Sequence, residues 1–264
     1  MIEEIVNLQR YPLHQLDSDQ GKALVYRCQA DLETDGLFNL EEFILPNAVR
    51  KATVQAAPVL EKHAFTHRRS HNIYFLPAVP ELSPEHPALK QFETANHTIC
   101  SDQIPGSVLV ELYLWPPFAE FLALVMSKPR LYVMDDLLAR LNVMAYRDGE
   151  ALNWHFDRSE FTTTLLLQSP LKGGEFLYRT GLRSDTNPNY EGIGEFLLGD
   201  QSEVTALALN PGTLNVFRGK NTLHRVSPVQ GSRERIITVF SYYEEAGVHF
   251  SAEERAGFYG RNHA

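Results

Sequence analysis

Cysteine is nearly absent from this sequence. Cys28 and Cys100 are the only two in 264 residues; they stand far apart and form no Cys-x-x-Cys pattern, which argues against a disulfide framework or a zinc knuckle. Long apolar runs are missing too. The most apolar stretch, LYLWPPFAEFLALVM from Leu112 to Met126, is interrupted by Pro116, Pro117 and Glu120 and is too short to span a bilayer. It predicts a core helix starting near the prolines, where the first turn tolerates them. The opening MIEEIVNLQRYPLHQL has no apolar signal region, so the expectation is a cytoplasmic protein with no membrane partner. Positive charge is also short: 24 Lys and Arg stand against 33 Asp and Glu, a net charge of -9. That balance disfavours a nucleic-acid partner, whose phosphates draw on clustered basic residues. What remains is a globular composition, 44% hydrophobic and 22% charged, in a chain long enough to bury a core as one domain. A small-molecule substrate suits it best.

Two textures divide the chain. Residues 1–140 look mainly helical: EEFILPNAVRKATVQAAPVLEKHAF carries apolar residues at helical intervals on either side of Pro46, and PALKQFETANHTIC reads as another helix. From Leu141 to about residue 245, short apolar runs (LNVMAY, FTTTLLLQ, GEFLY, VTALAL, TLNVF, RIITVFSYY) alternate with turn signals (RDGE, LKGG, NPG, FRGKN, QGSRE). Evenly spaced strands of this kind predict a jelly roll or related barrel. Residues 246–264 form a C-terminal tail. The expected class is α+β, with no Pro/Ser/Gly-rich linker to separate the halves.

Within NWHFDRSEF, His155 and Asp157 stand two residues apart. On a strand, such residues share a face. His224, in NTLHRVSPV, is the best third ligand, since it lies between two strand-like runs. Two imidazoles and one carboxylate that leave other positions open form the facial triad of non-haem Fe(II) oxygenases. Such chemistry also needs a grip on an anionic co-substrate. Arg235 and Arg233, at the head of RERIITVF, can each bind a carboxylate with two parallel hydrogen bonds; Arg235 is preferred because it sits further inside the strand, and Arg233 is the alternative.

The run from NVMAYRDGEALNWHFD through LKGGEF to PGTLNVFRGKNTLHRVSPVQGSRERIITVF resembles the Fe(II)/2-oxoglutarate-dependent dioxygenases of prolyl-hydroxylase-like pattern. The resemblance spans about 100 residues and implies a double-stranded β-helix (jelly-roll, cupin-like) core. WHFDRSEFTTTLLLQ, GLRSD, NYEG and the terminal GFYGR extend it, similar to small bacterial oxygenases that hydroxylate or halogenate free amino acids. Members that halogenate carry Gly or Ala in place of the metal-binding carboxylate, so Asp157 implies hydroxylation. By the same resemblance, His155, Asp157 and His224 hold Fe(II), Arg235 clamps the distal carboxylate of 2-oxoglutarate, and Tyr146 is a second hydrogen-bond partner for it. O2 is the other co-substrate.

Other features bear on the substrate. HRRSHNIYF, from His67 to Phe75, offers Arg68 or Arg69 to a substrate carboxylate, with His71 as a further candidate; basic residues at a helix C-terminus explain the cluster equally well. The polar stretch from Arg179 to Glu203 is long for a connection between strands and suits a lid or binding loop. Trp154 and Arg158 flank the metal-binding positions and fall on the other face of the strand, where packing is their expected role. The reading is therefore a single-domain oxygenase that hydroxylates a free amino acid or similar metabolite. Its rivals are a peptidyl hydroxylase of prolyl-hydroxylase type, a cupin-like metal- or ligand-binding protein without turnover, and a nucleic-acid demethylase, which the net charge disfavours. Oligomeric state is not readable from the sequence.

Overall fold

The structure, a computed structural model, describes residues 1–199, 201 and 203–264. In chain order the elements are α1 (Asp19–Thr34), β1 (Leu37–Leu40), α2 (Pro46–His63), β2 (Phe65–His71), β3 (Phe92–Cys100), α3 (Val108–Leu114), α4 (Pro116–Val125), β4 (Tyr132–Val133) and β5 (Leu141–Tyr146). There follow β6 (Leu152–His155), β7 (Thr162–Gln168), β8 (Phe176–Arg179), α5 (Tyr190–Leu198), β9 (Thr205–Leu207), β10 (Leu214–Phe217), β11 (Leu223–Val226), β12 (Arg235–Phe240), β13 (Tyr242–Tyr243) and α6 (Ala252–Tyr259).

The helices begin where the local chemistry favours it. Ser18 caps α1 by accepting from the Gly21 amide, and α2 and α4 each open on a proline whose missing N–H costs nothing there. Along α2, Ala48, Ala52, Ala56 and Leu60 recur every fourth residue as one buried stripe. That stripe, with Leu24 and Leu32 of α1 and Phe118 and Phe121 of α4, packs on one face of a sheet that presents Leu141, Val143 and Ala145 of β5. Strand alternation turns the neighbouring Met144 and Tyr146 to the opposite face.

The sheet has seven antiparallel strands in the order β1-β10-β7-β12-β5-β3-β2, and a second antiparallel sheet has the order β6-β11-β8-β9. From β5 to β8 the chain alternates between the two sheets, and it does so again from β10 to β12. Between them lies an inner cluster of Tyr146, Leu166, Val229 and Ile237. A two-stranded pair, β4 with β13, stands apart from both.

Three features depart from expectation. PALKQFETANHTIC is not a helix: from Phe92 it forms β3, a strand polar on its inner face (Thr94, Asn96, Thr98) and buried on both. Residues 1–140 therefore supply β1, β2 and β3 to the large sheet as well as helices. The stretch from Arg179 to Glu203 carries α5, whose Phe196 meets the Trp154 ring edge-on at 5.1 Å and covers the outer side of the small sheet; its Asp200 and Ser202 lie outside the described residues. The C-terminal tail contains α6, tied down by ion pairs of Arg255 with Asp136 at 2.7 Å and of Arg261 with Asp102 at 2.6 Å. Among the described residues no single helix is long and apolar enough to cross a membrane; α3 and α4 together pass on composition, but they are bent by 59° and packed in the core.

Candidate active site

His155 ends β6 and faces His224 on β11, its cross-strand partner. Asp157 lies just beyond β6, where its amide donates to the Gly219 carbonyl at 2.9 Å. One ligand atom from each of His155, Asp157 and His224 falls within 4.8 Å of the other two. His155 Nδ1 bonds the Asn153 carbonyl at 2.7 Å and His224 Nδ1 the Thr222 carbonyl at 2.9 Å. A carbonyl only accepts, so each ring carries its proton on Nδ1 and turns a bare Nε2 lone pair toward the carboxylate. The Nε2 atoms stand 3.2 Å and 3.5 Å from Asp157 Oδ1 and Oδ2.

The electrostatics agree with ligation. Burial first, and then the second imidazole, hold the His155 pKa below its ordinary value, which favours the neutral ring that a metal needs. Burial opposes ionisation of Asp157, yet positive charge where the His224 and His155 rings face it outweighs that burial and holds the carboxyl well below its usual range; with both Nε2 lone pairs bare, a bound metal cation would supply that charge. This donor set of two imidazoles and one carboxylate, with nothing else crowding the centre, fits a divalent ion such as Fe(II) that keeps open positions.

Two residues that sequence reasoning missed complete the support. The Thr162 hydroxyl donates to Asp157 Oδ2, which leaves Oδ1 for a metal. Gly219 lies so close that an added Cβ would sit 2.4 Å from Oδ2. Thr162 was visible only as the first threonine of a strand, and Gly219 only as a turn residue.

The triad opens into a cavity of about 420 Å³ that is also lined by Met144, Tyr146, Arg235 and Ile237. Arg235 is 2% exposed; its Nε donates to the Gly174 carbonyl at 3.0 Å, and its Nη1 has no hydrogen-bond partner. Gly174 itself has φ +66, and a Cβ added there would sit 3.1 Å from Arg235 Cδ, so LKGGEF does more than turn a hairpin: its backbone seats the guanidinium. Burial lowers the Arg235 pKa to about 10, which leaves it cationic at neutral pH. Tyr146 is its cross-strand partner, is 1% exposed, and has its hydroxyl pushed up to about 12 by burial. Arg233 is a correction: β12 begins at Arg235, so strand parity does not extend to Arg233, which is exposed in the preceding turn.

The histidine- and arginine-rich stretch is a strand, β2, and not a helix end. Alternation sends Arg68 outward, where it is 59% exposed and pairs with Glu93 at 3.5 Å; this corrects its candidacy for the substrate. Arg69 points inward and stacks on Phe75 at 4.3 Å, and Phe75 meets the His155 ring at 5.5 Å. His71 is buried with both ring nitrogens engaged, by Asn72 O and Thr94 Oγ1, and lies 6.2 Å from the His155 ring. Trp154 packs outward as expected. Arg158 does not: it lies past the end of β6, where alternation no longer applies, and it lines the cavity.

Fold and site together describe a His-Asp-His triad able to hold a metal ion within a fold of two antiparallel sheets, and the comparisons with known proteins agree with such a fold. The family model described as Halogenase D matches residues 90–256, more than half of the chain, and the chain belongs to that family. No curated protein matches it in sequence. Among solved structures it is similar to an oxidoreductase of the 2OG-Fe(II) oxygenase family from Burkholderia pseudomallei, with 14% identity, 85% of this chain and 92% of that one covered, and a TM-score of 0.53. It is similar also to the non-heme alpha ketoglutarate dependent epimerase SnoN from nogalamycin biosynthesis, with 14% identity, coverage of 84% and 83%, and a TM-score of 0.54. A Pseudomonas putida prolyl-4-hydroxylase aligns with 14% identity, coverage of 82% and 97%, and a TM-score of 0.50. At such identities the likeness is one of fold.

Proposed function

We propose that this protein is an Fe(II)- and 2-oxoglutarate-dependent oxygenase that hydroxylates an unactivated C–H of a free amino acid or similar small metabolite. The alternation of the chain between two sheets supports reading the core as a double-stranded β-helix, and the helices, core and C-terminal segment as one domain. His155, Asp157 and His224 would hold the iron. Arg235 would grip the distal carboxylate of 2-oxoglutarate, with Tyr146 donating a hydrogen bond beside it. The observation that carries this assignment is the unpartnered Nη1 of Arg235, buried in the cavity that also contains the triad. A buried cation without a counter-ion is costly, and a carboxylate ligand would relieve it.

When bound, iron with 2-oxoglutarate and O2 supplies the oxidising power for C–H cleavage, leaving succinate and CO2. The chain's own contribution is geometry and exclusion of water. The imidazoles are locked by backbone carbonyls, the carboxylate by Thr162, and the co-substrate by a guanidinium that the backbone of Gly174 holds in place. SnoN, of similar fold, has a structure in complex with Fe3+ and alpha ketoglutarate, which supports the same pairing here. Within the Halogenase D family, Asp157 favours hydroxylation, because its carboxylate occupies the position a halide would need. Arg69, inward-facing beside Phe75, is the residue proposed to meet a substrate carboxylate. His71, with both nitrogens engaged, fits a supporting role behind His155 better than direct contact.

The test is succinate production by anaerobically Fe(II)-loaded protein given 2-oxoglutarate, O2 and pooled free amino acids, with Asp157→Ala alongside. Succinate that rises with the pool and vanishes in the variant is the expected result. Slow, pool-independent succinate would turn the search to peptides. None at all from metal-loaded protein would leave a binding protein without turnover.

A further inference from the structure

On the oxygenase reading above, we propose that Arg69 and Arg158 together seat the carboxylate of the substrate, and that the substrate is an amino acid whose side chain carries no positive charge. Both guanidinium groups lie over one ring, that of Phe258 on α6, at 5.6 and 6.0 Å from its centroid. Two like charges held over one ring repel each other unless an anion joins them. One carboxylate is at hand: Glu254 Oε1 accepts from Arg158 Nη1 and Nη2 at 3.2 and 2.9 Å. Arg69 has no such partner among the described residues, and its Nε is buried with no hydrogen bond.

The location suits a substrate. Arg158 directly follows the metal-binding Asp157 and lines the cavity; Arg69 reaches the His155 ring through Phe75. Register places the side chains of Arg69, Thr94, His67, Asn96, Thr98 and Met144 on one face of the large sheet, and Met144 lines the cavity. Thr94, Asn96 and Thr98 on that face are buried and Arg69 and His67 half-buried, and none of these residues is a carboxylate. Burial, then Arg69 and His71, press the His67 pKa to about 4, so its imidazole is neutral at physiological pH. A substrate ammonium on a long side chain would meet two guanidinium groups, neutral donors and acceptors, Asp157, which the metal would claim, and Glu160 and Glu244 in the cavity lining, which already pair with Lys128 at 2.6 and 3.0 Å. A carboxylate would find two cations, one of them released from Glu254.

The experiment uses the full chain, loaded anaerobically with Fe(II) and 2-oxoglutarate and then given O2 with glutamine, methionine, glutamate or lysine singly, followed by the remaining free amino acids. Stimulated succinate formation from an uncharged or acidic amino acid, with none above background from lysine or ornithine, is expected. On the stimulating amino acid, Arg69→Gln and Arg158→Gln should each raise KM about tenfold or more with a smaller change in kcat, and Arg158→Lys should recover part of that loss. Lysine or ornithine as the best substrate overturns the proposal. So does an unchanged KM in Arg158→Gln, and so does background succinate that no free amino acid raises, an outcome that still leaves the oxygenase standing. Absence of any succinate from the iron-loaded protein would instead refute the oxygenase reading itself.

Discussion

Replacing Arg235 with Met separates a ligand-binding arginine from a structural one, because the two roles predict opposite signs of stability change. In the ligand-free protein burial lowers the Arg235 pKa from 12.5 to about 10. That difference, 12.5 − 10 = 2.5, corresponds to about 3 kcal/mol of disfavour for the charged form at about 1.4 kcal/mol per unit. A cation whose folded pKa is depressed weakens the fold wherever it is charged. The penalty is therefore complete below pH 10 and relieved only as pH rises toward 12.5. Against it stands the charged hydrogen bond to Gly174 O, worth about 1.5–3 kcal/mol. Met, unbranched and of similar reach, removes both terms. The ligand-free variant should thus be as stable as wild type or about 1 kcal/mol more so, a rise of at most a few degrees in Tm.

Addition of 2-oxoglutarate with Mn(II) should separate the proteins. Wild type gains about 2.7 kcal/mol at a hundredfold excess over Kd. Loss of one partner of a buried charge pair costs about 2–5 kcal/mol, enough to erase that gain in the variant at the same ligand concentration. Thermal unfolding with and without 2-oxoglutarate measures both quantities. A ligand-free variant less stable than wild type by about 3 kcal/mol or more, with the 2-oxoglutarate shift intact, would refute the reasoning and make Arg235 a structural residue.

Three further outcomes are expected. Thr162→Val removes the hydroxyl that fixes Asp157 Oδ2 and should weaken Mn(II) or Fe(II) binding about 10–100-fold in a direct titration. Gly219→Ala should weaken it at least as much, because its Cβ would sit 2.4 Å from Oδ2, whereas Gly257→Ala on α6, with nothing within 4 Å, should not. Arg255→Met strands the Asp136 carboxylate, which is 3% exposed, and should cost about 3–5 kcal/mol in thermal unfolding at neutral pH. Burial opposes ionisation of Asp136, but Arg255 and the amides of Phe250 and Leu138 hold its pKa below the ordinary value. The stability this provides is present above that ordinary value and fades as pH falls below it, so the gap between wild type and Arg255→Met should narrow in acid.

What the sequence disclosed, and what it hid, follows from how each kind of information is written in a chain. His155, His224 and Arg235 were legible because they sit on short strands with clear turns, where alternation fixes which side chains share a face; Asp157, just beyond β6, was legible only by its two-residue spacing from His155. Alternation misled where strands ended: Arg233 lies before β12 and Arg158 beyond β6, so period-two reasoning gave both the wrong neighbours. β3 escaped notice because its inner residues, Thr94, Asn96 and Thr98, are polar, and a strand that is buried on both faces but polar on one shows no apolar alternation. Those polar side chains are satisfied inside the fold, Thr94 by His71 and the Asn153 amide and Thr98 by Asn96, through partners that local sequence does not name. Thr162, Gly219 and Gly174 act through a single hydroxyl, a missing Cβ and a backbone carbonyl. Their effect depends on which segment the fold brings alongside, and no local pattern encodes that.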